Sequence, residues 1–204
     1  FIKKRFDFVI NLPRDQSDNQ KRVSRIKSFL SSKILDNKEK QKLLDVGAGM
    51  GVFLYQFLDN KWEGTALEPD SIACSHMKQV MPNVSVVNGE IKDLKNEKFN
   101  LITLNRVLEH VYNPADLLSD IVDLSNQDTL IYLELPDVLS FYKDGPNNEA
   151  FGYGHYSVYS PASLDILCQK AGLETCMIDR TIEPSGKFTI YGFFMLNEKS
   201  IKKV

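Results

Sequence analysis

Residues Leu43 to Leu54 read LLDVGAGMGVFL, an apolar run that breaks into three alternating glycines, Gly47, Gly49 and Gly51, and then into an apolar helix start. Glycine tolerates backbone angles that other residues resist, and its missing side chain lets a ligand or a neighbouring element come close. Gly47 is placed to take the backbone out of a strand, while Gly49 and Gly51 clear what becomes a pocket floor. A dinucleotide fingerprint wants G-x-G-x-x-G, and Val52 stands where its third glycine would be, which speaks against a pyrophosphate cradle. Glu68, in Leu67-Glu68-Pro69-Asp70, closes the next apolar run with a carboxylate, the acceptor that a pair of ribose hydroxyls requires. Asp70 suits a helix start better, since the dipole there favours an acid. Of the three histidines, His110 and His155 fall in loops expected on the strand-end side, and imidazole is the side chain best suited to proton transfer, which makes them candidate bases. His76 falls mid-helix and is expected to face solvent.

These residues need a scaffold. From Lys42 onward, short apolar runs alternate with helix-length amphipathic stretches, the signature of βαβ units feeding a parallel sheet. Strands are expected at 42–46, 62–67, 84–87, 101–104 and 130–135. Helices are expected at 52–58, 71–80 and 115–124, with Asp70 and Asn113 as N-caps and Pro114 at the first helical position. A further helix opens at Ser160-Pro161 and ends near Gly172. The runs 174–182 and 188–196 flank Pro184-Ser185-Gly186 and should pair as an antiparallel hairpin. Residues 1–41 read as a helical lead-in with Val23, Ile26, Phe29 and Leu30 on one apolar stripe, and 42–204 as the ligand-binding domain. The expected architecture is α/β, a seven-stranded mostly parallel sheet in a three-layer sandwich. Ligands of such sheets bind at the carboxyl ends of the strands.

Composition narrows the function classes. The 204 residues are 43% hydrophobic and 25% charged, with a net charge of −2, so a surface built to neutralise phosphates is disfavoured and nucleic acid is not an expected partner. Lys21, Arg22, Arg25, Lys27 and Lys33 cluster ahead of the first strand and read as a solvated helix face. Cys74, Cys168 and Cys176 have no zinc-pair spacing and are expected reduced and buried, and no metal is expected. No apolar run spans a membrane and no signal peptide opens the chain, so a cytoplasmic location is expected. The chain starts at Phe1 rather than Met, as a piece of a longer polypeptide would.

The segment Asp45-Val-Gly47-Ala48-Gly49-Met-Gly51 is similar to the first motif of class I S-adenosylmethionine-dependent methyltransferases, and the resemblance extends to about Leu196. It implies a Rossmann-like fold and S-adenosyl-L-methionine as cofactor. Asp45, Gly47, Ala48, Gly49 and Gly51 would line the loop, and Glu68 with Pro69 would meet the ribose. Gly89-Glu90-Ile91 resembles the family's adenine-binding turn, with Glu90 accepting from the exocyclic amine and Ile91 on the ring. Asn105-Arg106-Val-Leu-Glu109-His110 resembles the L-E-H signature of a small-molecule subgroup, in which Asn105 and Arg106 lie near the methionine part and the Glu-His pair lies beside the acceptor.

Phe151-Gly-Tyr153-Gly-His155-Tyr156-Ser-Val-Tyr159 also resembles that subgroup and reads equally as a lid over the crevice or as packing for a long loop. The acceptor expected from a polar, aromatic loop is a small polar metabolite, a sugar or nucleotide-sugar, with a quinone or lipid precursor as the alternative. A nicotinamide-dependent oxidoreductase and a non-catalytic cofactor-binding module are the rival classes. Oligomeric state is not legible.

Overall fold

The computed structural model describes residues 1–32, 40–94 and 97–197. Seven strands form one sheet: β1 Gln41–Val46, β2 Trp62–Glu68, β3 Ser85–Asn88, β4 Phe99–Asn105, β5 Ser125–Pro136, β6 Leu173–Ile182 and β7 Phe188–Leu196. Their spatial order is β3-β2-β1-β4-β5-β7-β6. The first five run parallel, β7 lies antiparallel on β5, and β6 pairs antiparallel with β7. The mostly parallel sheet with its C-terminal hairpin is therefore as the sequence predicts. Strand order reverses between β1 and β4, which opens the crevice at their carboxyl ends.

Among the described residues, seven α-helices accompany the sheet: α1 Ile2–Ile10, α2 Asp18–Ser32, α3 Val52–Phe57, α4 Ser71–Val80, α5 Pro114–Asp123, α6 Phe141–Asp144 and α7 Pro161–Lys170. Strand side chains alternate between two cores. Leu43, Leu101, Leu130, Tyr132 and Phe193 pack with α2, α3 and α4. Leu44, Ile102, Ile131 and Leu133 pack on the opposite face with α5 and α7. Because both faces are covered, these strands read as continuous apolar runs.

Local chemistry sets the helix starts. The Asp70 carboxylate accepts from the Ile72 and Ala73 amides at 2.7 and 3.4 Å, and Ser160 with Ser163 forms a capping box ahead of α7. Asn113 departs from expectation, since its side chain donates to Asp116 at 2.6 Å and caps nothing. Pro114 at the first position starts α5 without that bond. Strand β5 begins five residues before the predicted one. Its polar stretch Asn126–Asp128 is exposed and carries no apolar signal.

The basic face of α2 is not solvated as expected. The Val23, Ile26, Phe29 and Leu30 stripe packs on the sheet, with Phe29 stacked on Phe193 at 3.9 Å. Beside it, Arg22 and Arg25 are nearly buried and converge on Glu134 of β5. Arg25 also donates to Tyr132 and Glu183, each at 2.7 Å, and Lys21 reaches Thr181 at 2.6 Å. Burial alone would raise the Glu134 carboxyl, but the two guanidiniums overcome it and hold the group at about 2. Lys27 does lie at the surface, 3.0 Å from Asp59, and Lys33 lies outside the described residues.

Candidate functional site

The glycine loop leaves β1 with all three glycines at positive φ, +65°, +54° and +77°. The amides of Gly47 and Ala48 both donate to the Leu67 carbonyl, at 2.8 and 3.2 Å, which clamps the loop to the end of β2. The glycines clear different neighbours. A Cβ on Gly51 would collide with Met77 and Met81 of the α4 side, whereas nothing lies within 4 Å of a Cβ on Gly49. Gly49 therefore faces open space, and Gly51 lets the loop pack closely against Met77 and Met81.

Glu68 ends β2 nearly buried at 8% exposure. One carboxylate oxygen accepts from the Gly49 amide at 2.7 Å and the other from Asp70 at 2.9 Å, so the acid ties the glycine loop to the start of α4. Each oxygen keeps a second lone-pair direction for a further donor. Asn88 spans this corner, donating to the carbonyls of Glu68 and Pro69 at 3.0 and 2.8 Å.

Asp45 and Asn105 meet across adjacent strands. Asp45 is 1% exposed; its Oδ1 accepts from Thr103 Oγ1 at 2.7 Å and from Asn105 Nδ2 at 2.8 Å. Asp45 Oδ2 and Asn105 Oδ1 have no hydrogen-bond partner among the described residues. Burial pushes the Asp45 carboxyl up to about 7 against the pull of those two hydrogen bonds. Two buried acceptor atoms lacking a donor mark a place built for a donor-rich group.

Arg106 follows with φ +59°, the one non-glycine positive φ among the described residues. Its amide donates to the Glu134 carbonyl and its guanidinium to Thr189 Oγ1, both at 2.8 Å. Arg106 lines a cleft of about 260 Å³ together with Lys143, Lys187, Ser140 and Asn148.

Of the expected adenine turn, Glu90 lies at the surface, paired with Lys92 at 2.7 Å. Ile91 is buried in the α5 and α7 core. The turn itself docks beside the cradle through the Gly89 amide, 3.2 Å from the Glu68 carbonyl.

After β4, a single turn of 3-10 helix, Leu108–His110, carries Glu109 inward and His110 outward. His110 and His155 sit edge to face with ring centres 4.6 Å apart. Their Nδ1 atoms contact the carbonyls of Gly154 and Ala150 at 2.9 and 3.0 Å. Glu109 is 1% exposed with Oε2 unpartnered, and burial raises its carboxyl. The Tyr156 amide donates to the Glu109 carbonyl at 2.7 Å and joins the two loops. The aromatic segment divides between the two expected roles: Tyr159 is buried in the core, while Tyr153 and Tyr156 are exposed.

Two expectations fail here. His76 is 5% exposed, not solvent-facing; α1 covers that face of α4, with Phe6 4.8 Å from the imidazole, and burial lowers its pKa. Cys176 is exposed, whereas Cys74 and Cys168 are buried as expected. The Arg22, Arg25, Glu134 and Glu183 network was missed as well. Its available signal was the lone carboxylate in the apolar run Tyr132-Leu-Glu134-Leu, since a charge inside a covered sheet demands a cation.

A family model described as a methyltransferase domain matches residues 16–176. No curated protein matches the sequence. Among solved structures, an S-adenosylmethionine-dependent methyltransferase from Aquifex aeolicus is 16% identical with a TM-score of 0.67, covering 96% of this chain and 99% of that one. Magnesium protoporphyrin IX methyltransferase from Synechocystis PCC 6803, with bound S-adenosylhomocysteine, is 12% identical with a TM-score of 0.75, covering 96% and 94%. The 1,6-didemethyltoxoflavin-N1-methyltransferase of Burkholderia thailandensis is 19% identical with a TM-score of 0.70, covering 90% and 80%. At these identities the structures establish a shared fold. With the family match over most of its length, the chain belongs to the methyltransferase-domain family and has the class I, Rossmann-like fold of S-adenosylmethionine-dependent enzymes.

Proposed function

We propose that the chain transfers a methyl group from S-adenosylmethionine to a small polar acceptor, a sugar or nucleotide-sugar. The observation that carries this reading is the pair of donorless buried atoms, Asp45 Oδ2 and Asn105 Oδ1, at the strand ends beside the open floor over Gly49. An amino-acid ammonium is the donor that suits them, and Glu68 is the acceptor that suits vicinal hydroxyls. The residues present thus fit the cofactor. When bound, it supplies a methyl on a positively charged sulfur, so the electrophile is the cofactor's own.

The chain's residues then hold and align. Asp45 and Asn105 fix the amino-acid end, Glu68 the ribose, and Glu90, Ile91 and Pro69 border the base side. Alignment of this kind contributes roughly 7 to 11 kcal/mol. Arg106 and Lys143 give the neighbouring cleft two cations, Lys187 pairs there with Glu149 at 2.7 Å, and Ser140 and Asn148 add hydrogen-bonding groups. Such a lining supports an acceptor with both hydroxyls and a phosphate. His110 and His155 serve as the catalytic residues that deal with the acceptor's proton, in a loop cluster on the acceptor side. We assign 1–41 as lead-in and 42–204 as the cofactor-binding domain, of which 198–204 lie outside the described residues.

The test is calorimetry with S-adenosylhomocysteine followed by turnover on nucleotide-sugars, free sugars and quinone precursors. Nucleotide-sugar methylation is expected. His110→Ala and His155→Ala should each slow it on the order of 10² to 10⁴-fold while leaving S-adenosylhomocysteine affinity within twofold. Turnover confined to quinones would overturn the acceptor class, and absence of S-adenosylhomocysteine binding would overturn the whole reading.

A further inference from the structure

We infer that Glu109, His110 and His155 bind one divalent first-row transition-metal ion at the acceptor side of the cleft. One donor atom from each of the three lies within 4.8 Å of the others. Ligand atoms on a tetrahedral ion with bonds near 2.1 Å sit about 3.4 Å apart, so modest side-chain rotation closes the set. Their order in the chain hides the cluster, because His155 is far from the adjacent Glu109-His110, and the loops are brought together by the bond from Tyr156 to Glu109 and by the contact of His110 with the Gly154 carbonyl.

Two features beyond proximity point to an ion. The first is the tautomer of both imidazoles. Each Nδ1 lies within 3.0 Å of a backbone carbonyl, Gly154 for His110 and Ala150 for His155. A carbonyl only accepts, so both Nδ1 atoms carry the proton and both Nε2 lone pairs are left for a ligand. Metal-binding histidines are held by this same outer bond. The second is Glu109 Oε2, buried and without a hydrogen-bond partner. An unpaired carboxylate oxygen at 1% exposure is costly unless something positive meets it. His110 is exposed, which gives an ion its entry path.

The donor set decides the class of ion. Two imidazoles against one carboxylate suit zinc, cobalt, iron or manganese, whereas magnesium and calcium prefer oxygen throughout. Three protein ligands leave a coordination position open, as catalytic zinc sites do. For its role, the inference rests on the methyl-transfer reading and revises one part of it: with both Nε2 atoms on the ion, the imidazoles hold the metal instead of taking the acceptor's proton, and the ion would orient an oxygen-bearing acceptor and stabilise the charge left as that proton passes to solvent. The binding itself does not depend on that reading.

The test is a Co²⁺ titration of the chelator-stripped protein followed by visible absorption, with Zn²⁺ competition and Mg²⁺ as control. One equivalent of Co²⁺ should bind with d–d bands of low-coordinate nitrogen and oxygen ligation. Zn²⁺ should displace it and Mg²⁺ should not. His110→Ala, His155→Ala and Glu109→Gln should each weaken binding tenfold or more, and His110, being exposed, gives an informative variant even where Glu109→Gln fails to fold. Unchanged affinity in both histidine variants would overturn the inference, as would sulfur charge-transfer bands from Cys176. S-adenosylhomocysteine titrated into the same samples separates the two readings. Cofactor binding without the ion sinks the metal site alone, and ion binding without the cofactor sinks the methyltransferase reading alone.

Discussion

Replacing Asp45 by asparagine should stabilise the ligand-free protein above neutral pH while weakening its grip on the cofactor. Burial is the largest influence on this carboxyl and lifts it from its ordinary 3.8 to about 7. Below pH 3.8 the group is protonated folded or unfolded and contributes nothing to the difference. As pH rises from there, the unfolded chain ionises first, so stability is lost progressively until the folded group also ionises near 7. Above that the full penalty stands, about 4 kcal/mol at 1.36 kcal/mol per pH unit. Asparagine keeps an Oδ1 for the bonds from Thr103 and Asn105. It also brings an amide donor next to Asn105, whose Oδ1 has none.

Asp45→Asn should therefore gain up to about 4 kcal/mol at pH 8, or roughly 8 to 16 °C in Tm for a chain of this size. The gain should shrink to nothing near pH 4. The cost falls on ligand binding: losing a charge-assisted bond of about 1.5 to 3 kcal/mol weakens S-adenosylhomocysteine roughly ten- to hundredfold. Thermal melts from pH 4 to 8.5 and calorimetry at pH 7 test both halves. In the unmodified protein, binding near pH 7 should also release protons, seen as a dependence of the heat on buffer ionisation. A variant less stable than the parent at pH 8, or one equally advantaged at pH 4 and 8, would refute the reasoning.

Gly49→Ala and Gly51→Ala should separate ligand from packing. Gly49 has open space around its Cβ position, so alanine there costs about 1–2 kcal/mol of backbone strain yet abolishes cofactor binding by calorimetry. Gly51→Ala meets Met77 Cγ at 2.9 Å, adds overpacking of about 1–3 kcal/mol, and should lower Tm further. Glu68→Ala should weaken S-adenosylhomocysteine by about 2–4 kcal/mol, because it removes the ribose acceptor and frees the Gly49 amide; unchanged affinity would remove Glu68 from the site. Glu134→Gln leaves Arg22 and Arg25 without their shared partner and should destabilise by about 3–5 kcal/mol in urea melts. Since Glu134 is held at about 2 against an ordinary 4.5, its contribution is whole above pH 4.5 and lost as pH falls toward 2; the parent, not the variant, should show that acid limb.

The scaffold was legible because its strands are covered on both faces. Runs such as Leu43-Leu44 send one residue to each core, so the apolar signal is continuous and its glycine and proline boundaries are sharp. Glu68 and the glycine loop were legible for a related reason, since local backbone chemistry fixes them. What the sequence hid was whatever a distant element decides. His76 looks solvent-facing on α4 and is buried because α1 arrives with Phe6. The α2 arginines look like a charged surface and are inward because Glu134 waits across 112 residues.

The buried acids of this chain differ in what meets them: Glu68 accepts two backbone amides, while the other five divide between those with a cation and those without. Glu134, Asp137 and Glu183 each have a cation within 4.0 Å: Arg22 and Arg25, Arg180, and Arg25 again. Asp45 and Glu109 are just as deeply buried, each at 1% exposure. Each keeps an unpartnered oxygen, as Glu183 Oε2 also does, but neither has an ion pair among the described residues, and the carboxyl of each is raised by burial. A fold with arginines to spare for Glu134 has no physical difficulty neutralising an acid. Leaving these two uncompensated is a standing cost of folding, and both stand near where the chain leaves β1 and β4, the parallel neighbours between which the strand order reverses. In the proposed function and the inferred ion site, that cost is recovered when a ligand brings the missing positive charge. On that proposal, the same inequality that weakens the empty protein at those two acids directs binding energy to the crevice.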